Sequence, residues 1–521
     1  MYLFEKIKKF LKILCHRMTF VGIALILQIA VLLVVFGYFT TYSVWFYAFC
    51  MLLAATIALE ILNKDTNPAY QIAWLIPIML VPIFGVVIYL LFGRLRFSKK
   101  ETALRKKISE NFKHALCKGI SCDQALEAGV RPGIVGQARY LEGAARSPIY
   151  SGCYTEFFPL GEDKFARMVD EIAGAKHFIF LEYFIVEEGQ MWDTLLELLA
   201  QKAKEGVDVR VLYDDVGCLF TLPGGYCKKL REMGIKAHEC NAFVPILTPY
   251  LNNRDHRKIL VIDGHTAFTG GVNLADEYIN AYEKYGHWKD SAVMVKGEAV
   301  ESFTAMFLTM WDIANRSEDR FSDYGFDRYG DEMRLPGAPS GLIAPYGDSP
   351  IDGELVGENV YFNITSGAAE YLYIETPYLI LDHDMETVLC NAAKKGVDVR
   401  IITPHIADKW FVHLVTQSYY AKLIKAGVKV YEYTPGFVHA KVFIADDEIA
   451  TCGTVNLDYR SLYLHYECGL WMYKTACIAD MKQDYMETLE KCQQMTLEHL
   501  DAQPFYKRLL RPVLRVFAPL M

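Results

Sequence analysis

The sequence predicts an α/β protein built from two tandem lobes related by pseudo-twofold symmetry and preceded by an N-terminal transmembrane helical anchor. Three observations carry that expectation. The chain opens with three apolar stretches, the last ending at residue 93. From about residue 150 onward a pattern of strands and helices is written twice. Each copy closes on the same polar signature set into a hydrophobic strand, RDHRKILVID at 254–263 and VHAKVFIADD at 438–447.

The anchor occupies residues 1–100. FVGIALILQIAVLLVVFGYF (20–39), YSVWFYAFCMLLAATIALEIL (42–62) and QIAWLIPIMLVPIFGVVIYLLFG (71–93) carry Glu60 as their one charge. At about 20 residues each they match a hydrocarbon core of about 30 Å, and three in succession are neither a signal peptide nor ordinary core helices. Lys6, Lys8, Lys9, Lys12 and Arg17 precede the first stretch, and Arg94, Arg96, Lys99, Lys100, Arg105, Lys106 and Lys107 follow the third. Keeping both basic clusters on the cytoplasmic side requires an even number of crossings. The third stretch, interrupted by Pro77 and Pro82, is then expected to be re-entrant or interfacial. Thirteen scattered cysteines, with no CxxC pair and no Cys/His cluster at zinc spacing, fit small buried hydrophobes in a reducing compartment, which places the lobes in the cytoplasm of a cell-membrane protein.

The lobes follow at 101–314 and 342–504. HFIFLEYFIV (177–186) is answered by YLYIETPYLI (371–380), both buried-strand compositions. MWDTLLELLAQKAKE (191–205) is answered by METVLCNAAKK (385–395), each helix ending at a glycine, Gly206 or Gly396. VDVRVLYDD and VDVRIITPH then return as strands. Strand–helix–strand units of this kind predict a largely parallel sheet covered by helices. Residues 315–341, rich in Asp, Gly and Pro, are expected to link the lobes. The end of the chain, 505–521, is a basic amphipathic tail, FYKRLLRPVLRVF with four cations among large apolar residues. Such a tail fits an anionic bilayer surface or its own domain equally well.

The paired signatures carry the chemistry. Two imidazoles, His256 and His439, can divide the roles of nucleophile and proton carrier. Lys258 and Lys441 stand two residues on, on the same strand face as their histidines. Two ammonium groups beside two imidazoles suit a group with anionic non-bridging oxygens, and phosphate is the natural candidate. Asn273 and Asn456, at the same spacing from each histidine, can donate to phosphate oxygens, and the glycines before them admit a close ligand. Asp263 and Asp446 complete the motif at the strand ends, where they are expected to hold local structure, pairing with a basic neighbour. Asp290 and Glu467, each on the strand after its motif, are the expected His-orienting carboxylates. For His177, His287, His405 and His465 a structural role is expected. No metal or other cofactor is called for. The net charge of −8 disfavours a nucleic-acid partner.

These residues resemble the duplicated HxKxxxxD signature of the phospholipase D superfamily. The similarity is nearest to the bacterial cardiolipin synthases and extends through NRDHRKILVIDGHTAFTGGVNLADEYIN (253–280), TPGFVHAKVFIADDEIATCGTVNLDYRSL (434–462) and WLIPIMLVPIFGVVIYLLFGR (74–94). The resemblance implies two phospholipase D-like lobes and a phosphatidyltransferase that joins two phosphatidylglycerols into cardiolipin and glycerol. It implies His256 as nucleophile and His439 as acid and base, with Lys258, Lys441, Asn273 and Asn456 on the phosphoryl oxygens. A membrane-anchored phospholipase D acting on water or other alcohols is the alternative, since acceptor choice rests on pocket shape. Three apolar stretches, where two are usual for the family, leave the topology open.

Overall fold

The hairpins that follow the two signatures set the sheet architecture. The structure, a computed structural model, describes residues 44–64, 66–93, 99–116, 119–121, 123–124, 129–241, 252–333 and 339–520, with a few isolated positions elsewhere. It divides into two compact units, one of residues 1–98 with 242–252 and Leu520, the other of 99–241 and 253–519.

In the first unit, helix Val44–Leu62 is followed by Pro68–Leu80, Pro82–Ile88 and a π turn at Tyr89–Gly93. Asn67 caps the second helix by accepting the Ala69 N–H. Pro77 sits inside that helix, and the break comes at Val81 (φ −136°, ψ 75°), because the ring of Pro82 disfavours helical backbone in the residue before it. Gly85 is needed where the pieces meet: a Cβ there would lie 2.4 Å from the Pro77 carbonyl oxygen. Ile57, Ile61, Trp74, Ile78, Val86 and Tyr89 form the interior, while Phe49, Leu52, Leu59, Met79 and Leu80 are exposed. Among the described residues no helix is long and apolar enough to cross a membrane. The expected stretch 71–93 is divided at Pro82, and most of the expected stretch 20–39 lies outside the described residues.

The second unit holds both repeats. Strand β1 (Tyr150–Ser151) is followed by β2 (Tyr154–Phe158), β3 (Phe178–Tyr183), β4 (Asp208–Asp214), β5 (Lys236–Cys240), β6 (Lys258–Ile262), β7 (Thr266–Gly270), β8 (His287–Lys289) and β9 (Ala292–Lys296). The second repeat supplies β10 (Leu342–Asp348), β11 (Tyr371–Glu375), β12 (Asp398–Pro404), β13 (Lys429–Tyr433), β14 (Gly436–Val438), β15 (Val442–Ala445), β16 (Ile449–Gly453), β17 (Glu467–Tyr473) and β18 (Cys492–Gln494). The first sheet runs β2-β9-β7-β6-β3-β4-β5 and the second β1-β10-β17-β16-β15-β11-β12-β13-β18, so the cores of the two sheets share one order. Within these two sheets only β3-β4-β5 and β11-β12-β13 are parallel, and β14 and β8 form a separate parallel pair.

The expectation of largely parallel sheets is therefore corrected to mixed ones. The reason is local: Asp263 (φ 50°) and Gly264 (φ 66°), and likewise Asp446 and Asp447 (φ 56° and 57°), turn each motif strand back in a tight hairpin. In each turn the aspartate also binds the sheet. Asp263 accepts the N–H groups of Lys176, His177 and Phe178, each at 2.8 Å. Asp446 accepts those of Ala369, Glu370 and Tyr371 at 2.8, 2.8 and 2.9 Å. The expected basic partner is thus replaced by three backbone amides at the entry of the neighbouring strand.

Alternation along the motif strand divides it between two cores. Leu260 and Ile262 face helices Gly161–Gly174 and Gln190–Lys204. Ile259 and Val261 enter a core shared with helix Val300–Asn315 and with Val442, Ile444, Leu470 and Met472 of the second sheet. The lobes therefore form one body, and their sequence boundaries shift. Residues 132–151, expected in the first lobe, belong to the second: β1 pairs with β10, and Gln137 accepts from the Trp471 indole. The expected linker is not loose, because Tyr324 packs edge-on against Phe178 and Phe180 and Asp319 pairs with Arg210 at 2.9 Å.

Replacing Asp263 by Ala strands three strand-entry amides and is expected to lower unfolding stability by about 3 kcal/mol, whereas Asp263→Asn, which keeps an acceptor and tolerates the turn, should lose about 1 kcal/mol. Denaturant titration of the two variants checks this; equal losses would contradict the role assigned to the carboxylate.

Candidate active site

Each histidine lies just ahead of its motif strand, where the chain pairs with the other lobe. The His256 N–H donates to the Tyr466 carbonyl at 2.9 Å, and the Tyr466 N–H to that of Arg254 at 2.8 Å. In the second repeat β14 runs parallel to β8, and the His439 N–H then donates to the Lys289 carbonyl at 2.7 Å. Each histidine is thus stitched to the residue preceding a carboxylate of the opposite lobe. The side chains complete the exchange. His256 Nδ1 lies 2.9 Å from both oxygens of Glu467, and His439 Nδ1 lies 2.7 Å from Asp290 Oδ2. The two expected orienting carboxylates do stand against the imidazoles, and each serves the histidine of the other lobe. With Nδ1 engaged, Nε2 of each ring is left for chemistry.

The glycines are required by close packing, Gly271 at the crossing and Gly453 against the next strand of its own sheet. A Cβ on Gly271 would lie 2.0 Å from Asp290 Oδ1 and 2.8 Å from the His439 carbonyl oxygen, and one on Gly453 would lie 2.5 Å from the Cys468 carbonyl oxygen.

The site is buried and sets two lysines beside its two carboxylates. Both histidines are buried, as are Lys258, Lys441, Asp290 and Glu467. Lys258 donates to the carbonyl of His256 at 2.7 Å, and Lys441 does the same for His439, so each ammonium keeps further N–H donors. Burial lowers Lys258 to about 8 and Lys441 to about 7, against partial support from Glu467 and Asp290. Burial, then the Lys441 charge, lowers His439 to about 4. His256 is held well below its ordinary range by burial and by both lysines. Asp290 stays below the ordinary aspartate range, because the attraction of His439 and Lys441 outweighs its burial. An anion bound beside the two lysines would stabilise their ammonium forms.

The remaining expected residues divide. Asn273 is tied into the fold: its Oδ1 accepts the Ile185 N–H at 3.1 Å and its Nδ2 donates to the Tyr278 hydroxyl at 2.8 Å. Asn456 is buried with Oδ1 lacking a hydrogen-bond partner. Asp263 and Asp446 lie past the far ends of the motif strands; the six residues from His256 to Ile262, the end of β6, span about 20 Å, so these carboxylates do not touch the site.

Several residues were not expected. Thr454 and Ser461 donate their hydroxyls to Glu467, which fixes that carboxylate as an acceptor. Lys164 is fully buried and donates to the Val272 carbonyl at 3.1 Å, while in the second lobe the Tyr361 hydroxyl reaches the related Val455 carbonyl at 2.6 Å. Its signal was its place four residues before Met168 on the buried stripe of helix Gly161–Gly174. Phe184 meets His256 edge-on at 5.0 Å and Tyr278 meets His439 at 5.5 Å. His465, expected to be structural, packs 5.6 Å from the His256 ring, with both ring nitrogens buried and Nδ1 3.6 Å from Glu467 Oε1. It stands two residues before Glu467, on the same face of that segment. His256, His465 and Glu467 bring their donor atoms within 4.8 Å of one another. Glu467 already holds two hydroxyls and the His256 imidazole.

Residues 168–311 and 362–490 match the family described as cardiolipin synthase, PLD-like domain. The chain belongs to the cardiolipin synthase family. Residues 52–94 also match the phospholipase D-nuclease N-terminal family. Cardiolipin synthases of Halalkalibacterium halodurans and Geobacillus kaustophilus are 32% and 33% identical, covering 93% and 89% of this chain and 97% and 91% of theirs. An uncharacterized protein of Streptococcus mutans is 44% identical over 89% of this chain and 99% of its own. The crystal structure of phosphatidylserine synthase from Haemophilus influenzae shares the fold, with a TM-score of 0.56 at 16% identity over 74% of this chain and 98% of that one.

Two expectations follow for this cardiolipin synthase family site. Glu467→Gln and Asp290→Asn keep shape but favour the wrong imidazole tautomer, so each should lower kcat about 10³–10⁴-fold, with circular dichroism and thermal midpoint little changed. A loss below tenfold for either would exclude an orienting role. In the free protein the lysines titrate near 7 and 8 instead of 10.5. The unfolded chain then binds more protons between those values, so stability should rise with pH from about 7 to 10. Binding inorganic phosphate at pH 8 should restore the ammonium charges and take up protons, seen in calorimetry as a heat that depends on the buffer's ionisation enthalpy.

Proposed function

We propose that the protein makes cardiolipin by phosphatidyl transfer between two phosphatidylglycerol molecules at the surface of a membrane. The observation that carries this reading is the crossed pair of carboxylate-held imidazoles in one buried, doubly cationic site. His256 Nε2 attacks phosphorus of the first lipid while Lys258, Lys441 and the Asn456 amide hold its non-bridging oxygens. The bond from phosphorus to the glycerol oxygen breaks, and His439 gives that oxygen its proton. The primary hydroxyl of a second phosphatidylglycerol then attacks the phosphatidyl-histidine, His439 takes the hydroxyl proton, and the phosphorus–nitrogen bond breaks to release cardiolipin. Charge and site balance at the end of the cycle.

The two pairs differ in a way that supports this division. Glu467 is shared with two hydroxyl donors, which weakens its pull on His256 and leaves that ring a neutral nucleophile. Asp290 receives one backbone N–H, from Ser291, besides His439, and it stays ionised against Lys441. It is the better support for an imidazolium, as a proton carrier requires. Burial lowers His439 most and the lysine charges lower it further; the phosphodiester offsets the second of these, so substrate binding favours the charged acid. Burial of both histidines favours a lipid hydroxyl over water as acceptor.

Membrane attachment belongs to the same reading. Residues 1–100 would anchor the chain by two or three apolar segments, with the catalytic unit on the cytoplasmic side. The apolar outer surface of the helical unit, with Phe49, Leu52, Met79 and Leu80 exposed, supports a lipid environment, and its division at Pro82 supports a re-entrant or interfacial third segment.

With phosphatidylglycerol as the only lipid and neither nucleotide nor metal added, cardiolipin and glycerol should appear in equal amounts by mass analysis. Phosphatidic acid in place of cardiolipin would mean that water is the acceptor. A phosphatidyl ester of p-nitrophenol, whose leaving group needs no acid, should leave a covalent adduct on His439→Asn and none on His256→Asn, and the opposite pattern would exchange the two roles.

A further inference from the structure

The tail helix Phe505–Val516 is docked through two of its four cations, Arg511 and Arg515. Arg511 is buried and donates to Gln417 Oε1 at 3.0 Å and to Gln503. Arg515 lies over the Tyr419 ring, 4.2 Å from its centre, and pairs with Glu386 at 3.3 Å. The outward side is apolar. Phe505, Leu509, Val513 and Val516 are 77%, 58%, 51% and 41% exposed, and their spacing places them in one stripe. A single exposed leucine is ordinary, but a helix-long apolar stripe turned away from its own domain is not.

We propose that this stripe is the bilayer-facing surface of the catalytic unit, seated among the headgroups and upper acyl chains of an anionic membrane. The proposal rests on the phospholipid-transfer reading above and adds to it the face through which substrate arrives. Charge favours a lipid surface: Lys507 and Arg508 belong to the same helix, next to the first turn of the stripe, where anionic headgroups would lie.

Position favours it as well. The tail packs along helix Trp410–Lys425, whose first residue is 65% exposed. The loop leading to Trp410 follows β12, and its Ile406 N–H bonds the carbonyl of Gly436 at 3.3 Å, in the strand that ends next to His439. The related loop of the first lobe, after β4, presents Phe220, 74% exposed. Both lobes therefore carry an exposed aromatic residue beyond a parallel strand, Phe220 after β4 and Trp410 after β12, and the tail lies along the helix that Trp410 begins. A phosphodiester could then enter the site while its acyl chains stay in the membrane.

The test uses the full chain in vesicles of phosphatidylglycerol and phosphatidylcholine. A benzophenone amino acid at position 509 or 513 should photocouple to lipid at least about tenfold more than the same group at Glu498, an exposed control. Coupling to a second copy of the chain, or no coupling above the control, would overturn the proposal. The variant L509S/V513S/V516S, which leaves Arg511 and Arg515 in place, should lower transfer in vesicles about tenfold and leave transfer in detergent micelles unchanged. Equal loss in both, or loss in neither, would also overturn it. Absence of transfer by the unaltered protein in detergent would instead count against the reaction, while the photocoupling would still decide the surface.

Discussion

Neither lobe can orient its own histidine. His256 depends on Glu467 and His439 on Asp290, and each backbone is tied to the residue just before the opposite carboxylate. A site of this kind exists only when the lobes are joined, which explains why the inner faces of the sheets merge into one core around helix Val300–Asn315 instead of meeting as a weak interdomain contact. One glycine answers to the same constraint. Gly271 leaves no room for a side chain because Asp290 and the His439 backbone already fill it.

The crossing also explains the electrostatics. Two lysines are carried into the interior with the histidines, and desolvation weakens their hold on a proton. The free site is thus under tension that an anionic diester relieves. On the proposed roles, substrate binding and the protonation of His439 would be coupled, since a negative charge that steadies the lysines also steadies an imidazolium. The energy of binding is directed toward the reacting state rather than toward the empty pocket.

Much of this was legible in the chain because it depends on local periodicity. The paired signatures, the following-strand carboxylates and the duplicated strands follow from alternation and equal spacing. What the sequence did not disclose depends on contacts between distant segments. Nothing local to Asp290 indicates that its partner is His439, because that depends on β14 aligning with β8. The mixed sheet had a signal, the Asp263–Gly264 turn, outweighed by the strand–helix–strand rhythm beside it. The amphipathy of the tail was plain, but which side would be buried depends on Glu386 and Gln417, far away in sequence. His465 shows the limit of treating histidines singly, since its neighbourhood is made by His256 of the other lobe.

The exchange of segments between the sheets sets the order in which the molecule can be completed. The first sheet is finished by Lys296, yet Phe180, Ile259 and Val261 face a core whose other wall includes Leu470 and Met472. On the ribosome that face stays without its full cover until nearly the whole chain has been made. The second sheet has the opposite history, since its edge strand Tyr150–Ser151 emerges almost 200 residues before the strand it joins. The early half is therefore a waiting template, and the step that closes it is also the step that brings each histidine to its carboxylate. Assembly of the fold and assembly of the catalyst coincide, so a half-made chain carries no stray phosphatidyl-transfer centre.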